Sequence, residues 1–68
     1  MEASMSDATV VVECQIKRDT GNAILVVSTD TGLQEWVPLS QVDRIDHKKN
    51  GLADVTMKEW IAIKKGLV

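Results

Sequence analysis

Five side chains in this 68-residue chain are of types that do covalent or proton-transfer work when suitably surrounded: Cys14, Ser40, and His47 flanked by Asp43 and Asp46. A thiolate would serve as nucleophile or redox group, an activated serine hydroxyl as nucleophile, and an imidazole with carboxylates as a general acid or base. Their settings deny each role. Cys14 falls in phase with Val10, Val12 and Ile16 and so reads as a small core residue, whereas a reactive thiol needs an electropositive, accessible setting. His47 stands beside Lys48 and Lys49 in a polar turn, where a lone histidine reads as a surface residue. Ser40 has no histidine fixed near it and lies in no nucleophile-elbow pattern; its hydroxyl is expected to tie down the turn after Pro38. Gly21, Gly32, Gly51 and Gly66 are scattered and form no phosphate-binding loop. With one cysteine and one histidine, an intrachain disulfide and a Cys/His zinc site both lack ligands. The inventory predicts no enzyme, no cofactor and no metal.

The elements that would have to position these groups are mostly strands. From Thr9, the residues Val10, Val12, Cys14 and Ile16 alternate with Val11, Glu13, Gln15 and Lys17, the period of two of a strand with one buried face. Turn residues Arg18-Asp19-Thr20-Gly21-Asn22 predict a hairpin into a second strand, Ala23 to Ser28, apolar on both faces as in the middle of a covered sheet. Asp30-Thr31-Gly32 makes the next turn. A third strand, Leu33 to Val37, stops at Pro38, which cannot donate a ladder hydrogen bond. Val42 to His47 fits a tight turn leading into a short strand, Lys48-Lys49-Asn50-Gly51 closes another turn, and Ala53-Asp54-Val55 is a brief pairing segment.

Thr56 and Glu59 stand in the Thr-x-x-Glu relation of a capping box, which predicts a helix starting at Met57. Met57, Trp60, Ile61 and Lys64 then share one face, Lys64 and Lys65 sit where the helix dipole favours cations, and Gly66 is placed for a left-handed cap that lets Leu67 fold back. An apolar helix stripe needs a sheet to receive it. The predicted fold is α+β, mainly β: a small, bent, SH3-like antiparallel sheet of three to five strands with one C-terminal helix, as a single domain over residues 9–68 behind a disordered tail at 1–8. The alternative is a flat three-stranded sheet with the same helix, differing in whether residues 42–55 pair with the first strand.

A chain this short seldom draws more than about 3–5 kcal/mol from its core and usually needs cross-links, a metal or another chain. With the first two absent, the expectation is a self-associating or partner-bound protein. The unpaired cysteine fits a reducing compartment, and no run spans a bilayer or resembles a signal peptide, so the expected location is the cytoplasm, away from membranes. Charge is polarised along the chain: residues 1–43 carry a net −5 and residues 44–68 a net +3, within a total of −2. Such polarity can orient a partner.

Trp36 and Trp60 are the only aromatic residues. In a chain without Phe or Tyr each reads first as core. Pointed outward beside Pro38, Trp36 would instead be a binding anchor, and Val11, Ile24 and Val26, on the face opposite the helix, an exposed patch for a partner or a second copy to cover. The candidate partner-binding residues are Trp36, Pro38, Arg44, Lys48, Lys49 and Lys64. A nucleic-acid surface would draw on Arg44, Lys48, Lys49, Lys58, Lys64 and Lys65, but no aromatic row is interleaved with them.

Ala23-Ile24-Leu25-Val26, then Trp36-Val37-Pro38-x-Ser40-Gln41-Val42, then Glu59-Trp60-Ile61-Ala62 and Lys65-Gly66-Leu67 together resemble a group of short phage and prophage proteins, over roughly residues 22–68. In that group a strand ends in Trp-Ile/Val-Pro-x-Ser-Gln and the chain closes with a Glu-Trp helix and Lys-Gly-Leu. Here Leu39 replaces a frequent lysine and Lys58 a frequent proline. The resemblance implies a phage origin, a host-cell cytoplasmic location and a small accessory protein without catalytic residues. The expected function is stoichiometric contact with a host or phage protein, as an inhibitor of a host defence or nucleic-acid-processing complex in the manner of an anti-CRISPR. The alternative is an accessory nucleic-acid binder of a phage recombination or replication module that uses the basic C-terminal third.

Overall fold

A computed structural model describes residues 8–68. The expected tail lies outside the described residues except for Ala8, whose carbonyl accepts a hydrogen bond from the Glu59 N–H at 2.9 Å. The elements are β1 (Thr9–Asp19), β2 (Ala23–Ser28), β3 (Gln34–Pro38), β4 (Val42–His47), β5 (Leu52–Lys58) and α1 (Glu59–Lys64). All five strands form one antiparallel sheet in the order β3-β2-β1-β5-β4. This is the mainly-β α+β fold with a C-terminal helix that the sequence predicts; the strand order is what the ladders establish, and the SH3-like refinement goes beyond them. Residues 42–55 do not stay apart. The brief segment expected at 53–55 is a seven-residue strand that pairs with β1 from Thr9↔Lys58 to Gln15↔Leu52, which excludes the three-stranded alternative.

Alternation sets the two faces. Val12 and Cys14 of β1, Ile24 and Val26 of β2, Val37 of β3, and Ala53, Val55 and Met57 of β5 point inward and are closed over by Ile61 and Ala62 of α1 and by Leu67. Bulges at Lys17 and at Asp43 shift the register of the β1/β2 and β4/β5 ladders, and bulges of this kind bend and twist a sheet. A single 3-10 turn, Leu39–Gln41, leads directly from β3 to β4 and is closed by the Val42 N–H donating to the Leu39 carbonyl. The Ser40 hydroxyl meets only the Gln41 side-chain amide, at 3.5 Å, so the backbone and not the serine holds this turn.

The helix begins two residues later than the capping-box spacing predicts. Thr56 and Met57 belong to β5, Lys58 is the N-cap without a side-chain hydrogen bond, and Met57 is fully buried as a strand residue. Seven residues of cross-strand pairing outweigh one local cap, which is typically worth about 1 kcal/mol. The C-terminal end follows expectation. The Leu67 N–H donates to the Ala62 carbonyl at 2.9 Å and the Gly66 N–H to the Ile63 carbonyl at 3.0 Å, with Gly66 at φ +71: a Schellman cap that drives Leu67 into the core.

Candidate functional site

Ile24 and Val26 are fully buried in the core, so the patch expected from them does not exist. The outer face of β2 consists of Ala23, Leu25 and Val27, all half-buried. Because β2 is apolar at every position but its last, its own sequence cannot tell the two faces apart. Ser28 is the one polar residue, and it points inward. Its hydroxyl donates to the Leu67 carbonyl at 3.3 Å and accepts from the N–H groups of Asp30 and Thr31, so the buried oxygen is satisfied by the cap on one side and the turn on the other. Val11 is on the outer face as expected and is exposed.

Trp36 is the central feature of the outer face. It is 41% exposed, pairs across the ladder with Leu25, and is flanked on its own strand by Gln34 and Pro38, which pair with Val27 and Ala23. The reading of both tryptophans as core is therefore corrected. Trp60 is 49% exposed, and with Ile63 at 60% it lies on the outward side of α1, while Ile61 and Ala62 face the sheet. The predicted i, i+3, i+4 face fails here because Met57 belongs to β5 and the six-residue helix docks through Ile61 and Ala62, leaving Trp60 and Lys64 exposed.

The six predicted binding residues do not form one surface. Trp36 and Pro38 sit on β3, at one edge of the strand order; Arg44 is on β4, at the other edge; Lys48 and Lys49 follow β4, and Lys64 is on the helix. Of the six basic residues between Arg44 and Lys65, four are also paired with carboxylates where they stand. Arg44 Nε lies 3.0 Å from the Asp46 carboxylate, Lys58 Nζ 3.9 Å from Asp43 and Lys65 Nζ 3.9 Å from Glu35. Lys48 Nζ reaches Glu13 at 2.6 Å and Asp54 at 3.3 Å, and the Thr29 hydroxyl donates to Glu13 at 2.8 Å. The Lys48 and Thr29 hydrogen bonds hold the Glu13 carboxyl below its ordinary range, and Glu13 and Asp54 in turn hold Lys48 above its own. Glu13 and Asp54 are directly opposed in the β1/β5 ladder, and Lys48 relieves their repulsion.

The residues that could do chemistry are kept apart. His47 is exposed on the β4 edge strand, Asp46 is taken by Arg44, Asp43 faces Lys58, and no hydrogen bond joins either carboxylate to His47 among the described residues. No group of three potential metal ligands occurs among the described residues. In a cavity of about 190 Å³ lined in part by Glu13, Ser28, Thr29 and Leu67, the Glu13, Ser28 and Thr29 side chains are already hydrogen-bonded. Cys14 is fully buried, and burial, with Asp54 and Glu13 nearby, pushes its thiol up to about 11. At pH 8 such a thiol holds about 100-fold less thiolate than one titrating at its ordinary value near 9. Alkylation of Cys14 by iodoacetamide at pH 8 is thus expected to be at least that much slower in the native protein than in urea; equal rates would show an accessible thiol.

No family model, curated protein or solved structure matches this chain.

Proposed function

We propose that this is a non-enzymatic, phage-type binding protein that acts by stoichiometric protein–protein contact in the host cytoplasm, as an inhibitor of a host defence or nucleic-acid-processing complex. The observation that carries the reading is Trp36, a large amphipathic side chain held outward against half-buried Leu25 on a sheet face that the helix does not cover. Rigid aromatic anchors in an apolar surround carry much of the energy of a protein interface. Fixing Trp36 on a paired strand lowers the ordering cost of binding. The ion pairs at Arg44, Lys48, Lys58 and Lys65 weigh against the nucleic-acid alternative, because cations already matched by carboxylates offer little to phosphates.

The test is affinity capture from host lysate with the wild type and Trp36→Ala, both shown by circular dichroism to be folded. Loss of a truncated hot-spot tryptophan costs about 2 kcal/mol or more, so the variant is expected to bind the captured protein at least about 30-fold more weakly. Equal retention by both forms, or none by either, would count against Trp36 as the anchor. DNA binding whose affinity drops steeply with salt would favour the alternative instead.

A further inference from the structure

The sheet has two edges, and they are not equivalent. β4 is kinked by the bulge at Asp43, and Asp43, Arg44, Asp46 and His47 make up four of its six residues, which is how proteins protect an edge from foreign strands. β3 has no bulge. Its single charge, Glu35, is half-buried and matched by Lys65 at 3.9 Å. The ladder also shows which of its backbone groups are unused. The Ser28 N–H donates to the Leu33 carbonyl and the Leu39 N–H to the Asn22 carbonyl, so by antiparallel alternation Leu33, Glu35, Val37 and Leu39 bond toward β2. The N–H and C=O of Gln34 and Trp36, and the carbonyl of Pro38, point away from the sheet, where no described strand meets them.

We infer that the β3 edge pairs with the β3 edge of a second copy of this chain about a two-fold axis at Trp36, joining two five-stranded sheets into one. The edge is complementary to itself. With Trp36 opposite Trp36 of the second copy, the two residues exchange both backbone bonds, and each Gln34 N–H donates to the other copy's Pro38 carbonyl. The missing Pro38 N–H then costs only one acceptor partner on each side. Charge chooses this register over its neighbour. Setting Gln34 opposite Trp36 satisfies as many groups but places Glu35 directly against its own copy, at the closest cross-strand spacing; centring on Trp36 faces each Glu35 with Val37. Centring on Gln34 runs the second strand into the turn at Gly32. The same two-fold operation on β4 would crowd both copies of Asp43, Arg44 and Asp46 along one seam.

Side chains support the geometry. The outer-face row Leu25–Trp36 meets its symmetry copy, giving a continuous Leu25–Trp36–Trp36–Leu25 strip across the axis. Self-pairing needs no foreign partner, so the inference stands apart from the binding function proposed above, although the doubled strip would present that function's anchor twice.

Sedimentation equilibrium of the full chain tests it. The wild type is expected at twice the 7.5 kDa chain mass at micromolar concentration. Gln34→Pro, which removes an N–H that the monomer does not use, is expected at the monomer mass with an unchanged far-ultraviolet spectrum; His47→Pro, the matching change at an outward N–H of β4, is expected to leave the dimer intact. Register is read separately by mild oxidation: Trp36→Cys is expected to form a covalent dimer on a non-reducing gel and Glu35→Cys not to. A wild type at monomer mass throughout, a Gln34→Pro protein that stays dimeric, or dissociation by His47→Pro alone would overturn the β3 interface. Cross-linking through Glu35→Cys and not Trp36→Cys would overturn the register. A monomeric wild type that still loses its captured partner on Trp36→Ala would remove the dimer and leave the binding function standing.

Discussion

Ile24→Ala is expected to lower the unfolding free energy by about 2–5 kcal/mol, the usual cost of removing a buried branched side chain and leaving a cavity. The whole core of a chain this size supplies no more than about that amount. A large fraction of the variant should therefore be unfolded at 25 °C in chemical or thermal melts. The reason is position: Ile24 is fully buried at the start of β2, opposite Val37, in the cluster that α1 and Leu67 close. Leu25→Ala is the informative comparison, because Leu25 is half-buried on the other face and should cost about 1 kcal/mol. The two substitutions invert if β2 is turned over. A larger loss from Leu25→Ala than from Ile24→Ala would refute the assignment of faces and, with it, the outward placement of Trp36.

Leu67→Ala comes next, at about 2–5 kcal/mol by the same mechanism. Leu67 is 1% exposed; it is carried into the core by the Gly66 turn, and its carbonyl accepts the buried Ser28 hydroxyl. The substitution keeps the backbone bonds and removes only the packing, so a thermal melt reads the side chain by itself. Gly66→Ala should also destabilise, by roughly 1 kcal/mol, since φ +71 is strained for an L residue and the added Cβ would meet Leu33 Cδ1 at 3.0 Å. If Leu67→Ala changed stability by less than about 0.5 kcal/mol, the cap would be unfolding separately from the sheet.

The strands were legible wherever polar and apolar residues alternate. β1 shows its buried face in Val12 and Cys14, and the Gly21, Gly32 and Gly51 turns mark where strands reverse. β2 could be recognised as a strand but not oriented, because Ala23 to Val27 carry no polar residue to mark the wet side; pairing with β1 and β3 makes that choice. β5 was underestimated since Asp54, Thr56 and Lys58 look polar until the β1 register shows that they share the outer face with Glu13, Val11 and Thr9. That long-range pairing also consumed the residues of the expected capping box. Of the candidate binding residues, the place of Trp36 and Pro38 at a strand end was legible, but the outward face of Trp36 was not. The basic residues were not separable into free and paired, because Glu13 and Lys48, far apart in sequence, meet only through the β1/β5 ladder and the β4–β5 hairpin.

The position of β1 in the middle of the strand order governs how the molecule can be made. The β1/β2, β2/β3 and β4/β5 pairs join neighbours in sequence, but β1 meets β5 by bringing Thr9 to Lys58, across most of the described residues. Closing so long a loop is an entropic toll met before any contact across it rewards the chain, and topologies dominated by such pairings fold slowly. A nascent polypeptide that has emerged only through β3 has its first three strands in hand, yet the side of β1 meant for β5 is bare, with Val10 and Val12 still in water. Incomplete copies are thus the ones prone to stick to each other. Assembly becomes safe only on arrival of the fifth strand.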